Sequence, residues 1–147
     1  MGPPFPIPSM WGLQRMTDTS AARSQVEKFM RLVDSGQFDE AMSFMADDIR
    51  FTFGNQEPIT GRDTAAAALG SVLAQCEKIE HSVVTWFESA KDDGGTDTLA
   101  EVRVTYHLKG GRVVSIPACL FTSVTSDGRF TEQRLYADMA PVLAGGE

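Results

Sequence analysis

The sequence predicts an α+β domain on three observations. Apolar residues recur at helical spacing through most of the first half, four long runs rich in β-branched and aromatic residues follow Lys78, and turn signals separate those runs. A chain of 147 residues is roughly one domain and buries about two-thirds of its unfolded surface. The predicted order of elements is ααβαββββ.

Residues 1–15, MGPPFPIPSMWGLQR, hold four prolines, each of which fixes φ and removes a donor, so this segment is expected to be a flexible leader. Met16 offers an alternative start, and Phe5, Ile7 and Trp11 offer apolar side chains to a partner subunit. The domain proper is expected over 16–143, with 144–147 as a tail. From Ser20, the spacing of Ala22, Val26, Phe29, Met30 and Val33 predicts a helix closed by Gly36. Phe38, Ala41, Met42 and Met45 predict a second, shorter helix ending near Asp47 and Asp48. Ile49, Phe51 and Phe53 alternate as in a strand, which Gly54, Asn55 and Pro58 break. Asp63 or Thr64 can cap a third, alanine-rich helix whose face carries Ala66, Leu69, Val72, Leu73 and Cys76. The remaining strands fall at about 79–89, 98–109, 112–125 and 129–138, between turns at Asp92 to Gly95, Gly110-Gly111 and Asp127-Gly128. Pro117 lacks a ladder donor and marks an edge, a bulge or a bend. Three helices against one face of such a bent sheet leave a conical cavity for a small ligand.

Composition narrows the function classes. With 13 Lys+Arg against 20 Asp+Glu, the formal charge of −7 argues against a nucleic-acid partner or an anionic membrane. No apolar run reaches the ~20 residues of a membrane span. Cys76 and Cys119 stand far apart without ligand spacing, and the two histidines and scattered carboxylates add none, so no metal site and no cofactor is expected. The thiol pair and the lack of a secretory pattern suit a reducing cytoplasm. No Ser-type nucleophile elbow and no phosphate-binding loop is present.

The segments FMRLVDSGQFDEAMSFMADDIRFTF, PITGRDTAAAAL and VVSIPACLFTSVTSDGRFTEQRLYADMAPV, in this order, resemble the NTF2-like superfamily, and within it the SnoaL-like polyketide cyclase and limonene epoxide hydrolase branches. The resemblance covers about residues 20–143. It implies the NTF2-like cone, with three N-terminal helices packed on a strongly curved, mostly antiparallel sheet. It also implies a homodimer and a cofactor-independent acid/base enzyme of cyclase, isomerase or dehydratase type, acting on a hydrophobic polyketide-, terpenoid- or steroid-like molecule. A non-catalytic hydrophobic-ligand-binding or dimerisation module, and an epoxide hydrolase, are the alternatives.

On the last strand, Arg134, Tyr136 and Asp138 share a face. Alternation alone leaves open whether that face or the set Leu135, Ala137 and Met139 is buried. The resemblance turns the first set to the cavity and makes Asp138 the acid/base residue, with a pKa raised by apolar walls. On the strand 98–109, Glu101, Arg103, Thr105 and His107 oppose Ala100, Val102, Val104 and Tyr106. If the polar set lines the cavity, Arg103 pairs with Asp138, Glu101 or His107 supplies a second titrating group, and Tyr136 donates; as a solvent-facing ladder it has no catalytic part. Phe51, Phe53, Trp86, Phe121 and Met45 are the expected apolar walls, with Met42 beside them.

Departures from the related families limit the chemistry. Limonene epoxide hydrolases carry Arg-x-Asp where this chain reads Glu101-Val102-Arg103, and their first-strand tyrosine and asparagine meet Phe51 and Phe53 here. The first helix lacks the tyrosine that ketosteroid isomerases need. Scytalone dehydratase-like enzymes use two nearby histidines, for which His81 and His107 are the only candidates. His81, two residues from Ile79 and Val83, reads as a half-buried sheet histidine rather than a base.

Overall fold

The computed structural model describes residues 19–143. The expected leader, with Phe5, Ile7, Trp11 and Met16, and the tail over 144–147 lie outside the described residues.

Helix α1 (Ala21–Asp34) buries the stripe its spacing predicts: Ala22, Val26, Phe29, Met30 and Val33. It starts at Ser20, whose Oγ accepts the Arg23 N–H at 3.0 Å. It stops where Gly36 takes φ 79°, which lets Gly36 N–H donate to the Val33 carbonyl at 3.1 Å and Gln37 N–H to the Leu32 carbonyl at 2.8 Å. This tight termination leaves Asp34 as the last helical residue, at the sheet's edge. Helix α2 (Phe38–Met42) is shorter than its spacing suggests, because Asp47 and Asp48 belong to strand β1 (Met45–Phe53). A two-residue strand β2 (Ile59–Thr60), absent from the sequence reading, pairs with β1. Helix α3 (Arg62–Leu73) begins ahead of Asp63, with Gly61 at φ 109° as its N-cap and no side-chain cap.

Strands β3 (Cys76–Ala90), β4 (Thr96–Leu108), β5 (Val113–Val124) and β6 (Phe130–Ala137) form consecutive antiparallel hairpins. A single turn, α4 (Ala140–Leu143), follows, so the described residues hold four helices where three were expected. The six strands lie in the order β2-β1-β6-β5-β4-β3, with β1 and β6 parallel and the other neighbours antiparallel. The architecture is α+β, a curled sheet with helices on one face, as the resemblance implies. Pro117 stands next to Ala118, where the β5–β6 pairing begins, so it is locally at an edge of an otherwise interior strand.

Phe130 anchors the core where α1 meets the sheet. It is fully buried, meets the Phe29 ring edge-on at 5.5 Å and the Phe44 ring at 5.6 Å, and its N–H donates to the Phe44 carbonyl. Phase along β4 sets which face is inside: Ala100, Val102, Val104 and Tyr106 are buried under the helices, while Glu101 and Arg103 are exposed. The register carries that phase to β6, where the inward residues are Gln133 and Leu135 and the outward ones Arg134 and Tyr136.

Candidate functional site

Between α1, α3 and the inner face of the sheet lies a cavity of about 60 Å³. Phe29, Met30 and Val33 of α1 and Leu69, Val72 and Leu73 of α3 roof it. The sheet contributes Phe51, Phe53, Ile79, Val102, Val104, Leu120 and Leu135, so the walls are almost wholly hydrocarbon. Three polar side chains interrupt them: His81, Tyr106 and Gln133.

His81 is held from behind. Its Nδ1 lies 2.6 Å from Asp34 Oδ1, and its backbone N–H donates to Asp34 Oδ2 at 2.9 Å. β3 is an edge strand, and the carboxylate at the end of α1 occupies a donor that the sheet leaves free. Both side chains are partly buried. A carboxylate on Nδ1 fixes the ring's orientation and favours the tautomer with the proton on that nitrogen, leaving the Nε2 lone pair for a molecule in the cavity.

Tyr106 is the diagonal neighbour of His81, since the register pairs Ile79 with Tyr106 and His81 with Val104. Such neighbours have backbones about 7–8 Å apart, within reach of two ring side chains. Burial pushes the Tyr106 hydroxyl up to about 12, with the nearby Cys76 adding to the rise, so it is a neutral O–H donor at any physiological pH. The hydroxyl's only hydrogen-bond partner among the described residues is the Met139 sulfur at 3.8 Å, a weak acceptor that a carbonyl oxygen can displace. Tyr106 and Tyr136 are the chain's two tyrosines. In a Tyr136→Phe variant, ultraviolet titration is expected to show the remaining phenol ionising near 12; ionisation near 10 would mean Tyr106 is not enclosed.

The residues expected at the site fall mostly elsewhere. Asp138 lies beyond the end of β6 and is exposed, its Oδ1 accepting the Ala140 N–H at 3.1 Å in the turn that leads into α4. The inward phase of β6 belongs to Gln133 and Leu135, so the expectation that Asp138 looks into the cavity is corrected. Arg103 is exposed on the outer face and donates to Ser115 Oγ at 3.3 Å, and no ion pair joins it to Asp138 among the described residues. Glu101 is exposed, and Tyr136 is 52% exposed. His107 faces outward, its Nε2 2.9 Å from Glu80. That hydrogen bond, followed by Lys78, holds the Glu80 carboxyl below its ordinary range. The polar ladder of β4 is therefore the solvent side, and His81 and His107 lie on opposite faces.

Of the expected walls, Phe51 and Phe53 line the cavity and stack on each other at 6.5 Å. Met45 is buried in the core outside it. Trp86 packs under the Arg23 guanidinium and donates to Glu88 at 2.8 Å. Phe121 turns outward, with the Arg134 guanidinium 4.0 Å from its ring centre. Asp34, Tyr106 and Gln133 went unassigned in the sequence. A usable signal existed for His81 and Tyr106, because each shares its alternation phase with apolar neighbours, whereas nothing local links Asp34 to a strand 47 residues away.

Helices on the concave side of a curled sheet, with a polar group at the wall of an apolar cavity, define the NTF2-like fold class. A profile of the SnoaL-like domain matches residues 26–133, and the chain belongs to that family. Solved structures agree on the fold. A protein classed with the SnoaL-like polyketide cyclases, from Jannaschia sp. CCS1, is 21% identical, with 87% of this chain and 95% of that one covered at a TM-score of 0.65. One classed with the scytalone dehydratases, from Novosphingobium aromaticivorans, is 14% identical over 91% and 87% at 0.70. A ketosteroid isomerase-like fold from Catenulispora acidiphila, in complex with trimethylamine, is 16% identical over 82% and 89% at 0.67. No curated protein matches the chain. Among the described residues no helix is long and apolar enough to cross a membrane, and no group of three or more His, Cys, Asp and Glu side chains is arranged to hold a metal ion.

Proposed function

We propose that this SnoaL-like protein is a cofactor-independent acid/base enzyme that moves a proton on a small, mostly apolar carbonyl compound. The observation that carries the reading is the His81–Asp34 pair at the wall of a hydrocarbon cavity, with a buried phenol as its diagonal neighbour. His81 Nε2 takes a proton from the carbon beside the carbonyl, Asp34 stabilises the imidazolium so formed, and Tyr106 donates to the oxygen on which charge develops. Return of the proton to another atom of the enolate is isomerisation; loss of a β-hydroxyl is dehydration; attack of the enolate carbon on a second carbonyl is cyclisation. The families named above span these outcomes.

Size argues for a small substrate. Pockets for drug-sized ligands run to about 300–1,000 Å³, far above the roughly 60 Å³ here, so the polyketide-, terpenoid- or steroid-sized molecules expected from the resemblance fit poorly. Trimethylamine in the Catenulispora relative is a ligand of the smaller kind. An epoxide hydrolase is disfavoured, since among the described residues no carboxylate or guanidinium lines the cavity to activate water. The nearly apolar lining favours one second reading, a module that holds a hydrophobic molecule without converting it. Deuterium uptake from D2O into small cyclic ketones, followed by NMR, separates the two: catalysed uptake supports the enzyme, and binding without uptake supports the module.

A homodimer through the sheet's outer face belongs to the same proposal. Phe87, Leu99 and Phe121 form one cross-strand row there, with Phe87 66% and Leu99 39% exposed and Tyr136 in the adjacent row. Light scattering is expected to give twice the chain mass for the wild type and the chain mass for a Phe87→Lys, Leu99→Lys variant. A wild-type monomer would contradict this. Two free thiols, Cys76 and Cys119, fit a reducing compartment such as the cytoplasm.

A further inference from the structure

We infer that Gln133 is the cavity's recognition group for a hydroxyl on the ligand, and that the protein selects neutral, hydroxyl-bearing small molecules over hydrocarbons of the same shape. The inference rests on taking the cavity as the binding site. Gln133 is 1% exposed yet lines the cavity, on the inner face of β6 between Phe51 of β1 and Thr122 of β5. It ends a buried polar row that crosses three strands, Thr98, Thr122 and Gln133, paired in register. Thr98 Oγ1 donates to the Thr122 carbonyl at 2.9 Å, and Gln133 Nε2 donates to Thr122 Oγ1 at 3.3 Å.

A primary amide has two N–H donors and a carbonyl with two lone pairs, and that one bond ties the nitrogen end to the row. The oxygen Oε1 receives no donor among the described residues. No fully enclosed side-chain oxygen or nitrogen there lacks a partner, so Oε1 borders the cavity rather than packed hydrocarbon. An amide oxygen facing apolar walls is costly to leave unpaired, and a ligand O–H removes the cost while a methyl in its place does not. The charge pattern narrows the class further. Among the described residues no lysine or arginine lines the cavity, so a carboxylate or phosphate finds no permanent positive charge there.

Phenol and toluene are matched probes, alike in shape and different in the hydroxyl. NMR titration of the full chain is expected to give phenol about tenfold tighter binding than toluene, the worth of one well-made hydrogen bond. In Gln133→Leu and Gln133→Met that preference is expected to vanish with toluene binding kept or improved. Thr122→Val, which retains the glutamine but unties its amide, is expected to lose part of it, and stands in for the test should the Gln133 variants not fold. Equal binding of the two probes to the wild type, binding of neither, or a phenol preference that survives both kinds of variant would overturn the inference. Measuring ketone deuterium uptake on the same samples keeps the two readings apart. Preference without uptake sinks the enzyme alone, and uptake without preference sinks the role of Gln133 alone.

Discussion

His81→Gln is expected to lower catalysed deuterium uptake by about 10²- to 10⁴-fold, the usual worth of one proton-transferring side chain. That equals about 2.7–5.4 kcal/mol in the barrier. Glutamine retains a polar side chain at the cavity wall but cannot accept and return a proton. Asp34→Asn tests the support rather than the base. It keeps an oxygen that can accept from His81 but removes the charge that stabilises the imidazolium, and its nitrogen end turned to Nδ1 favours the opposite tautomer. Uptake is expected to fall with the far-ultraviolet spectrum unchanged, because the bond sits at a strand edge and the end of a helix rather than in the core.

The largest stability effect is expected at Phe130. Its ring is fully buried and braced by Phe29 and Phe44, so Phe130→Ala removes a large apolar side chain and leaves a void where α1 meets the sheet. The cost is expected to be about 3–5 kcal/mol, against the ~5–15 kcal/mol that holds a domain folded. Urea denaturation checks it: the midpoint falls with an unchanged slope. A loss below about 1 kcal/mol would mean that the site collapses around the alanine or that the ring is less enclosed than described.

Much of the fold was legible because its signals are local and redundant. Val26, Phe29, Met30 and Val33 mark a helix face whatever it packs on, Gly36 ends that helix by a backbone angle open to glycine, and paired turn residues delimit the hairpins. Short elements escaped for the opposite reason. β2 exists only because β1 offers it a partner, and α4 is a single turn of four residues.

The site was less legible because a strand's phase is decided at long range. Alternation in Arg134-Leu135-Tyr136-Ala137-Asp138 states that two faces exist, and the pairing of Leu120 with Leu135 decides which is inside. On β4 the ordinary hydrophobic rule was the better guide, since the clean polar phase of Glu101, Arg103 and His107 is the solvent phase. His81 was read correctly as partly buried beside Ile79 and Val83, but its meaning depends on Asp34, which the fold brings up from the far end of a helix.

The sharpest test of where the chemistry resides compares two variants side by side in the ketone uptake assay, one at the cavity wall and one beyond the end of β6. With uptake per mole of folded protein as the readout, His81→Gln is predicted to be depressed at least a hundredfold, and Asp138→Asn to match the wild type. Full uptake in His81→Gln together with its loss in Asp138→Asn would move the active group out of the cavity to the exposed segment after β6 and contradict the assignment made from the cavity.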